Sequence, residues 1–393
     1  MTVTSRLRTG SSEVRSAGPA PSVDRRRRPR LRIAMVGSAN FGFRQPFPGG
    51  MEAHSWDLTM GLRLLGHDVT VFAGPGSDPA LGAVEMWDGA LDLSQTARQD
   101  VSMGSEAILG EHIAYQRTML RLMRDRDLDL VHLNCVHPLP VAMTAVLGKA
   151  VTATLHSPPT PGLELAYRSA RQEFGAPVTV AVSGHLSNAW AQATGWRPEV
   201  INNGVDLNAW RPGPGSGGYA VWSGRLVPEK APHLAIEAAR RAGIPLVLAG
   251  PAYDRQYFAE HIEPALGSSV RWAGHLRQPE LARLVGAAAV ALVTPDWEEP
   301  FGLVAIEAMA CGTPIVAVAR GALGDLIDDE IGALSSAEPQ DLADGISRAR
   351  GCDRGAVRRR AVERFDVRAM VAGYEQLMLE AARQWRSAEG GAA

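Results

Sequence analysis

The segment Glu298-Glu299-Pro300-Phe301-Gly302-Leu303-Val304-Ala305-Ile306-Glu307 sets two carboxylates, Glu299 and Glu307, around a Pro-Phe-Gly turn. Helical spacing fits residues 303–310, which puts Glu299 on the loop before the helix and Glu307 more than one turn inside it. The amides of Gly302, Leu303 and Val304 then lack intrahelical acceptors and form a natural seat for phosphate. A carboxylate on either side of that seat can bind hydroxyls of a sugar attached to the phosphate. The plainer alternative makes Glu307 a solvated helix residue and Glu299 an acid favoured by the helix dipole.

A second constellation lies upstream in Trp222-Ser223-Gly224-Arg225-Leu226-Val227-Pro228-Glu229-Lys230. Here a strand ends and a turn leads to a helix, so Arg225 and Lys230 can both face the mouth of a cleft. Two cations aimed at a diphosphate make charge-assisted hydrogen bonds, and the arginine can make a forked one. The alternative is a pairing of Lys230 with Glu229 or solvent. Lys149 and Lys230 are the only lysines among 40 basic residues. Lys149 has no comparable context and is expected at the surface.

These groups need a scaffold that brings loops to one edge. Residues 31–36 form a β-prone run, a helix fits 51–65 with Met51, Leu58, Leu62 and Leu65 on one face, and 69–73 is the next strand. That is a βαβ unit with a parallel sheet. Further strands fit 128–133, 150–155, 178–182 and 199–201. A second series follows the Pro/Gly-rich 210–218, with strands at 219–222, 245–249, 270–272, 290–293 and 314–318. Its helices fit 233–242, 280–287 and 303–310. The expectation is an α/β protein of two Rossmann-like domains facing a central cleft. The boundaries are 1–30 for a disordered basic tail, 31–207 for the first domain, 208–365 for the second and 366–386 for a terminal helix. That helix carries Val367, Met370, Val371, Tyr374, Leu377 and Met378 on one face and needs a partner surface; the amino-terminal domain is the candidate.

With 393 residues, the chain is long enough for two ordinary domains. Its net charge of −2 argues against binding a polyanion by overall attraction. Eight arginines in residues 1–30 stand against Glu13 and Asp24, so a +6 tail accompanies a −8 body. Neither nucleic acid nor membrane contact through that tail is expected. The three cysteines, Cys135, Cys311 and Cys352, show no disulfide or zinc spacing. No amino-terminal segment has the apolar core of a signal peptide, and the longest strongly apolar run, 284–293, is about half a membrane span. The expected location is the cytoplasm.

Two motifs are decoys. Gly213-Pro214-Gly215-Ser216-Gly217-Gly218 matches a dinucleotide fingerprint but precedes a strand instead of opening a helix. Asp127-Leu128-Asp129 resembles a metal-binding DxD, yet it straddles the start of an apolar strand.

Taken together, the E-x7-E pair in EPFGLVAIEAMACGTPIV, GRLVPEK (224–230), NNGVD (202–206), PGGMEAH (48–54) and GHDVTVFA (66–73) resemble retaining glycosyltransferases of family 4, with the GT-B fold. The resemblance spans about residues 31–385 and keeps the family's order of motifs. It implies that Glu307 holds the ribose hydroxyls of a nucleotide-sugar donor and that Glu299 contacts the transferred sugar. Arg225 and Lys230 would hold the diphosphate with the amides near Gly302, Leu303 and Val304, beside Gly224. Gly49 and Gly50 would close over the donor phosphate, where a side chain would obstruct close approach. His156, at a strand's end, matches a histidine that reaches the sugar beside the reacting carbon. His132 and His137 are expected as scaffold or acceptor-side residues.

The implied activity is a retaining, metal-independent hexosyltransferase without a cofactor. It would move a sugar from a UDP- or GDP-type donor to a small-molecule acceptor, in the setting of natural-product biosynthesis. The alternatives are a sugar-nucleotide epimerase or hydrolase of the same fold, and a non-catalytic nucleotide-sugar-binding module. One departure from the family pattern is Ala322 in Arg320-Gly321-Ala322-Leu323, where a second glycine is usual.

Overall fold

The computed structural model describes residues 29–102 and 104–390. The basic tail expected over residues 1–30 lies outside them, apart from Pro29 and Arg30.

Two parallel sheets dominate the molecule. The first contains β1 (Arg32–Val36), β2 (Asp68–Ala73), β3 (Val84–Glu85), β4 (Leu130–Leu133), β5 (Ala150–Leu155), β6 (Val178–Ala181) and β7 (Glu199–Val200). Their order is β3-β2-β1-β4-β5-β6-β7. The second contains β8 (Ala220–Ser223), β9 (Leu246–Ala249), β10 (Val270–Trp272), β11 (Val290–Val293), β12 (Ile315–Val318) and β13 (Gly332–Ser335), ordered β10-β9-β8-β11-β12-β13. In each sheet the first strand lies between the second strand and a later one, so the chain reverses direction there. The crevice at such a switch point, outside the carboxyl ends of the strands, is where doubly wound folds bind ligands.

Every residue of β4, β5, β9, β11 and β12 is buried. Helices cover both faces of these sheets, which explains the near-continuous apolar runs in the sequence. The second sheet extends past the expected last strand: β13 and the helices Pro339–Ala349 and Arg354–Arg364 complete it. β13 offers no long apolar run, and it begins at a glycine because a Cβ on Gly332 would lie 2.0 Å from the Ile315 carbonyl oxygen.

The terminal helix Val367–Gly390 returns to the first sheet. Met370, Val371, Tyr374 and Met378 share a buried cluster with Ile33, Leu58 and Leu62. Periodicity finds this apolar face, but the partner is chosen by fit. Gly61, on the helix Gly50–Leu64, admits Val371 where a Cβ would stand 2.4 Å from its Cγ2.

Three local expectations resolve clearly. Gly213–Gly218 is a strap rather than a phosphate loop: the amides of Gly213, Gly215 and Gly217 donate to Cys311, Gly286 and Ala287, and β8 follows. Asp127 and Asp129 stand at the amino-terminal end of β4, where Arg32 pairs with Asp127 and Arg386 with Asp129. Lys149 corrects an expectation. It is buried rather than at the surface, with Nζ 3.5 Å from the Leu147 carbonyl, because it immediately precedes the buried strand β5.

Candidate active site

A cleft of about 490 Å³ opens between the carboxyl ends of the two sheets. Loops after β1, β4, β5 and β6 supply Ser38, Val136, His156 and Val182 from one side. From the other come the loops after β8, β9 and β11 with Arg225, Gly250 and Glu299.

Two helix amino termini meet across this cleft. Gly302, at φ +94°, caps the helix Leu303–Ala310, and any L side chain there would be strained. Opposite it the helix Gly50–Leu64 starts at the cleft wall. The two ends are so close that a Cβ on Gly50 would lie 3.5 Å from Leu303 Cδ2. Both helix dipoles therefore present their positive ends to the same space, together with the free amides of the first turns. Gly49 is extended at φ −164°, and a Cβ there would meet Glu52 Oε2 at 3.1 Å. Backbone conformation requires glycine at neither Gly49 nor Gly50.

The cations sit on turns clamped from below. The Gly224 amide donates to the Ala249 carbonyl, and a Cβ on Gly250 would lie 1.8 Å from the Gly224 oxygen, so the loops after β8 and β9 fit only through glycine. Arg225 follows, about two-fifths exposed and 3.7 Å from Glu229. Lys230 ends the 3-10 turn Pro228–Lys230. The Thr294 hydroxyl donates to the Ala231 carbonyl at 3.0 Å and anchors that turn to the end of β11.

Lys230 turns inward to Glu299, not to Glu229: its Nζ lies 2.6 Å from Glu299 Oε2. The same carboxylate oxygen accepts from Trp297 Nε1 at 3.1 Å, and the Trp297 ring lies 4.7 Å from the ammonium. A strap holds Glu299 from behind. The Ala322 amide donates to the Glu299 carbonyl, and the Gly321 amide donates to Glu298 Oε2. Gly321 has φ +60° and lies so close that a Cβ would stand 2.3 Å from the Glu299 oxygen. The departure at Ala322 is harmless to this strap, since φ −68° suits any residue.

Glu307 lines the cleft from inside the helix Leu303–Ala310, and burial followed by the charge of Asp57 pushes its carboxyl up to about 8. Asp57, on the facing helix, is pushed up to about 7 by burial and by Asp206. A carboxyl shifted in this direction keeps its proton to higher pH than an ordinary one, and in that form it can both donate to and accept from hydroxyl groups.

His156 stands just past β5 on the cleft wall, next to Asn134. His132 and His137 do not line the cleft. His132 is fully buried between Thr152 and Thr154, and His137 caps the helix Pro138–Ala142 by accepting from the Leu139 amide. The structure thus brings Gly49, Gly50, Gly224, Arg225, Lys230, Glu299, Gly302, Leu303, Val304, Glu307 and His156 to one cleft. Sequence reasoning missed Asp57, Trp297 and Asn134. Trp297 had a signal in its place two residues before Glu299. Asp57 and Asn134 had none, because their partners are remote in the chain.

Two parallel-sheet α/β domains around such a cleft define a GT-B architecture. A family model for glycosyl transferases group 1 matches residues 214–363, and one for Glycosyltransferase Family 4 matches residues 48–209. The chain belongs to glycosyltransferase family 4. It is 28% identical over 368 residues to a D-inositol 3-phosphate glycosyltransferase of Kribbella flavida, covering 80% of this chain and 85% of that one. A glycogen synthase of Mycobacterium tuberculosis is 35% identical over 178 residues, 41% of this chain and 42% of that protein. Among solved structures, Anabaena HepE in complex with UDP and glucose superposes with a TM-score of 0.70 at 22% identity, covering 88% of this chain and 99% of that one.

Proposed function

We propose that the protein transfers a hexose from a nucleoside diphosphate donor, of UDP or GDP type, to a small-molecule acceptor with retention of anomeric configuration. The observation that carries this reading is the convergence on one cleft of Arg225, Lys230 and two opposed helix amino termini, flanked by Glu299 and Glu307. Breaking the anomeric bond leaves a diphosphate with growing negative charge. Preorganised donors aimed at that charge stabilise the transition state, and one of them can be worth about 3–4 kcal/mol.

In this reading Arg225 grips the diphosphate through its fork and Lys230 supplies a compact point charge. Lys230 reaches the phosphate by leaving Glu299, whose carboxylate is then free for hydroxyls of the transferred sugar. Protonated Glu307 takes the ribose hydroxyls. The acceptor attacks from the face the diphosphate leaves, and the departing phosphate oxygen takes the acceptor's proton. The two cations supply the charge that a metal ion would otherwise bring.

The acceptor half of the cleft is lined by Ser38, Asn40, Phe41 and Glu111. Its acidic side chains from the amino-terminal domain are Glu52, Asp57 and Glu111, and no lysine or arginine of that domain lines it among the described residues. That electrostatic setting supports a neutral polyhydroxy or aminated acceptor over a phosphorylated one such as the Kribbella relative's name states. Among the described residues no helix is long and apolar enough to cross a membrane.

The test is a melting-temperature screen of UDP-, GDP- and ADP-hexoses, followed by turnover with myo-inositol, inositol 3-phosphate and an aminocyclitol. A ligand of the native state raises the melting temperature. Stabilisation by one donor and transfer to an unphosphorylated acceptor support the reading. Free sugar or an epimer from donor alone indicates a hydrolase or epimerase, and binding without any turnover indicates a binding module.

A further inference from the structure

We infer that His156 is held as its Nε2–H tautomer by a one-way hydrogen-bond chain through Asn134 and Ser55 to the Met51 carbonyl, which makes Asn134 and Ser55 positioning residues and leaves Nδ1 as a bare acceptor at the cleft. The chain has one end of fixed polarity. Ser55 Oγ lies 2.7 Å from the Met51 carbonyl oxygen, four residues earlier in the helix Gly50–Leu64. A carbonyl only accepts, so the single hydroxyl proton of Ser55 is committed to it. Ser55 Oγ must therefore accept from its other neighbour, Asn134, at 2.6 Å. The Asn134 atom facing Ser55 is then Nδ2, and the one facing His156 is Oδ1.

Oδ1 lies 2.5 Å from His156 Nε2 and can only accept, so Nε2 carries the proton. Network polarity is the proper basis for such an assignment, since hydrogen positions follow from their partners. Ser55 and Asn134 are both fully buried, which removes water as a competing partner. The imidazole holds a single proton, because burial, then His54 and His132, drive its pKa well below the usual histidine value. Nδ1 has no hydrogen-bond partner among the described residues.

The chain ties together three elements that meet at the cleft. Asn134 follows β4 and its backbone N–H donates to the Val36 carbonyl, His156 follows β5, and Ser55 rides on the helix that begins at Gly50. The His54 ring packs edge-on against His156 with centroids 4.9 Å apart, which limits rotation of the imidazole. A neutral ring fixed in this way accepts a hydrogen from a hydroxyl of the transferred sugar and does not donate one. What meets Nδ1 rests on the donor site proposed above, whereas the tautomer does not.

The experiment is long-range proton–nitrogen NMR on the full chain labelled with ¹⁵N-histidine, with the His156 signals assigned by their loss in His156→Gln. The expected wild-type spectrum shows the proton on Nε2 and a bare Nδ1. Ser55→Ala frees the Asn134 amide to turn, and the Nδ1–H form gains signal; Ser55→Thr, which keeps a hydroxyl, restores the single form. Asn134→Leu removes the acceptor and serves as the second variant, with unchanged signals from the histidines outside the His54–His132–His156 cluster reporting an intact fold. A wild-type proton on Nδ1, or a tautomer indifferent to both Ser55→Ala and Asn134→Leu, overturns the inference. Failure of UDP- and GDP-glucose to bind in calorimetry would instead count against the donor site and leave the tautomer result standing.

Discussion

Lys230 Nζ and Glu299 Oε2 lie 2.6 Å apart, joining the two groups that the sequence motifs assign to different parts of a donor. The ammonium is about one-fifth exposed and the carboxylate about one-eighth, so water only partly screens the pair. The pair holds the lysine at the cleft wall, and in the proposed reading it opens when a donor diphosphate takes the place of the carboxylate.

Replacing Lys230 by alanine removes the charge and leaves the Glu299 carboxylate with Trp297 Nε1 as its hydrogen-bond donor. Turnover of the nucleotide sugar is expected to fall by about 100-fold or more, the range for loss of one preorganised donor. Circular dichroism should report an intact fold. Near-normal kcat in a folded Lys230→Ala would sink the diphosphate assignment.

Glu307→Gln tests the protonated state of that carboxyl. Its folded pKa of about 8 stands above the ordinary 4.5, so between those values the folded state binds more protons than the unfolded one. Wild-type stability contributed by this group therefore falls as pH rises through that window. Glutamine has no such penalty, and the melting temperature of Glu307→Gln relative to wild type should rise between about pH 5 and 8. A constant difference across that range would contradict the shift. Glu307→Ala, which removes both hydrogen-bonding functions, is expected mainly to raise donor KM.

Gly321→Ala forces an L side chain to φ +60° and drives a Cβ into the Glu299 carbonyl. The left-handed conformation alone costs about 1–2 kcal/mol, and the collision adds to it. Urea denaturation should show that loss together with a fall in kcat, because Glu299 is displaced. Ala322→Gly, one position on, should leave kcat unchanged, since the Ala322 backbone is ordinary. Equal effects at both positions would refute the strap.

At Gly61 two effects compete. Alanine improves helix propensity by about 1 kcal/mol, whereas its Cβ would press on Val371, a stiff β-branched neighbour, at 2.4 Å. Overpacking typically costs about 1–3 kcal/mol, so Gly61→Ala should be destabilising. Limited proteolysis should cut first near the terminal helix 367–390. A gain in melting temperature would show that the helix yields without cost.

Much of the scaffold was legible because its signals are local. Strands β5, β10 and β11 match their expected limits, and the helix Leu303–Ala310 follows the apolar spacing after Gly302. β13 escaped because a four-residue strand beginning with glycine offers little periodicity. Lys149 was misplaced because a lysine's charge favours solvent, whereas its position directly before the buried strand β5 holds it under cover.

The sequence by itself determined the E-x7-E pair, the glycine-capped helix start at Gly302 and the strand-turn that carries Arg225 and Lys230, since each is built within about ten residues of chain. The tertiary structure alone decided that Lys230 meets Glu299 and that Gly50 faces Leu303. It also decided that burial, with Asp57 beside it, raises Glu307 and that Asn134 joins Ser55 to His156. Those pairs lie on different elements, and their distances follow from how two sheets and their helices pack. Local propensity carries no term for that packing.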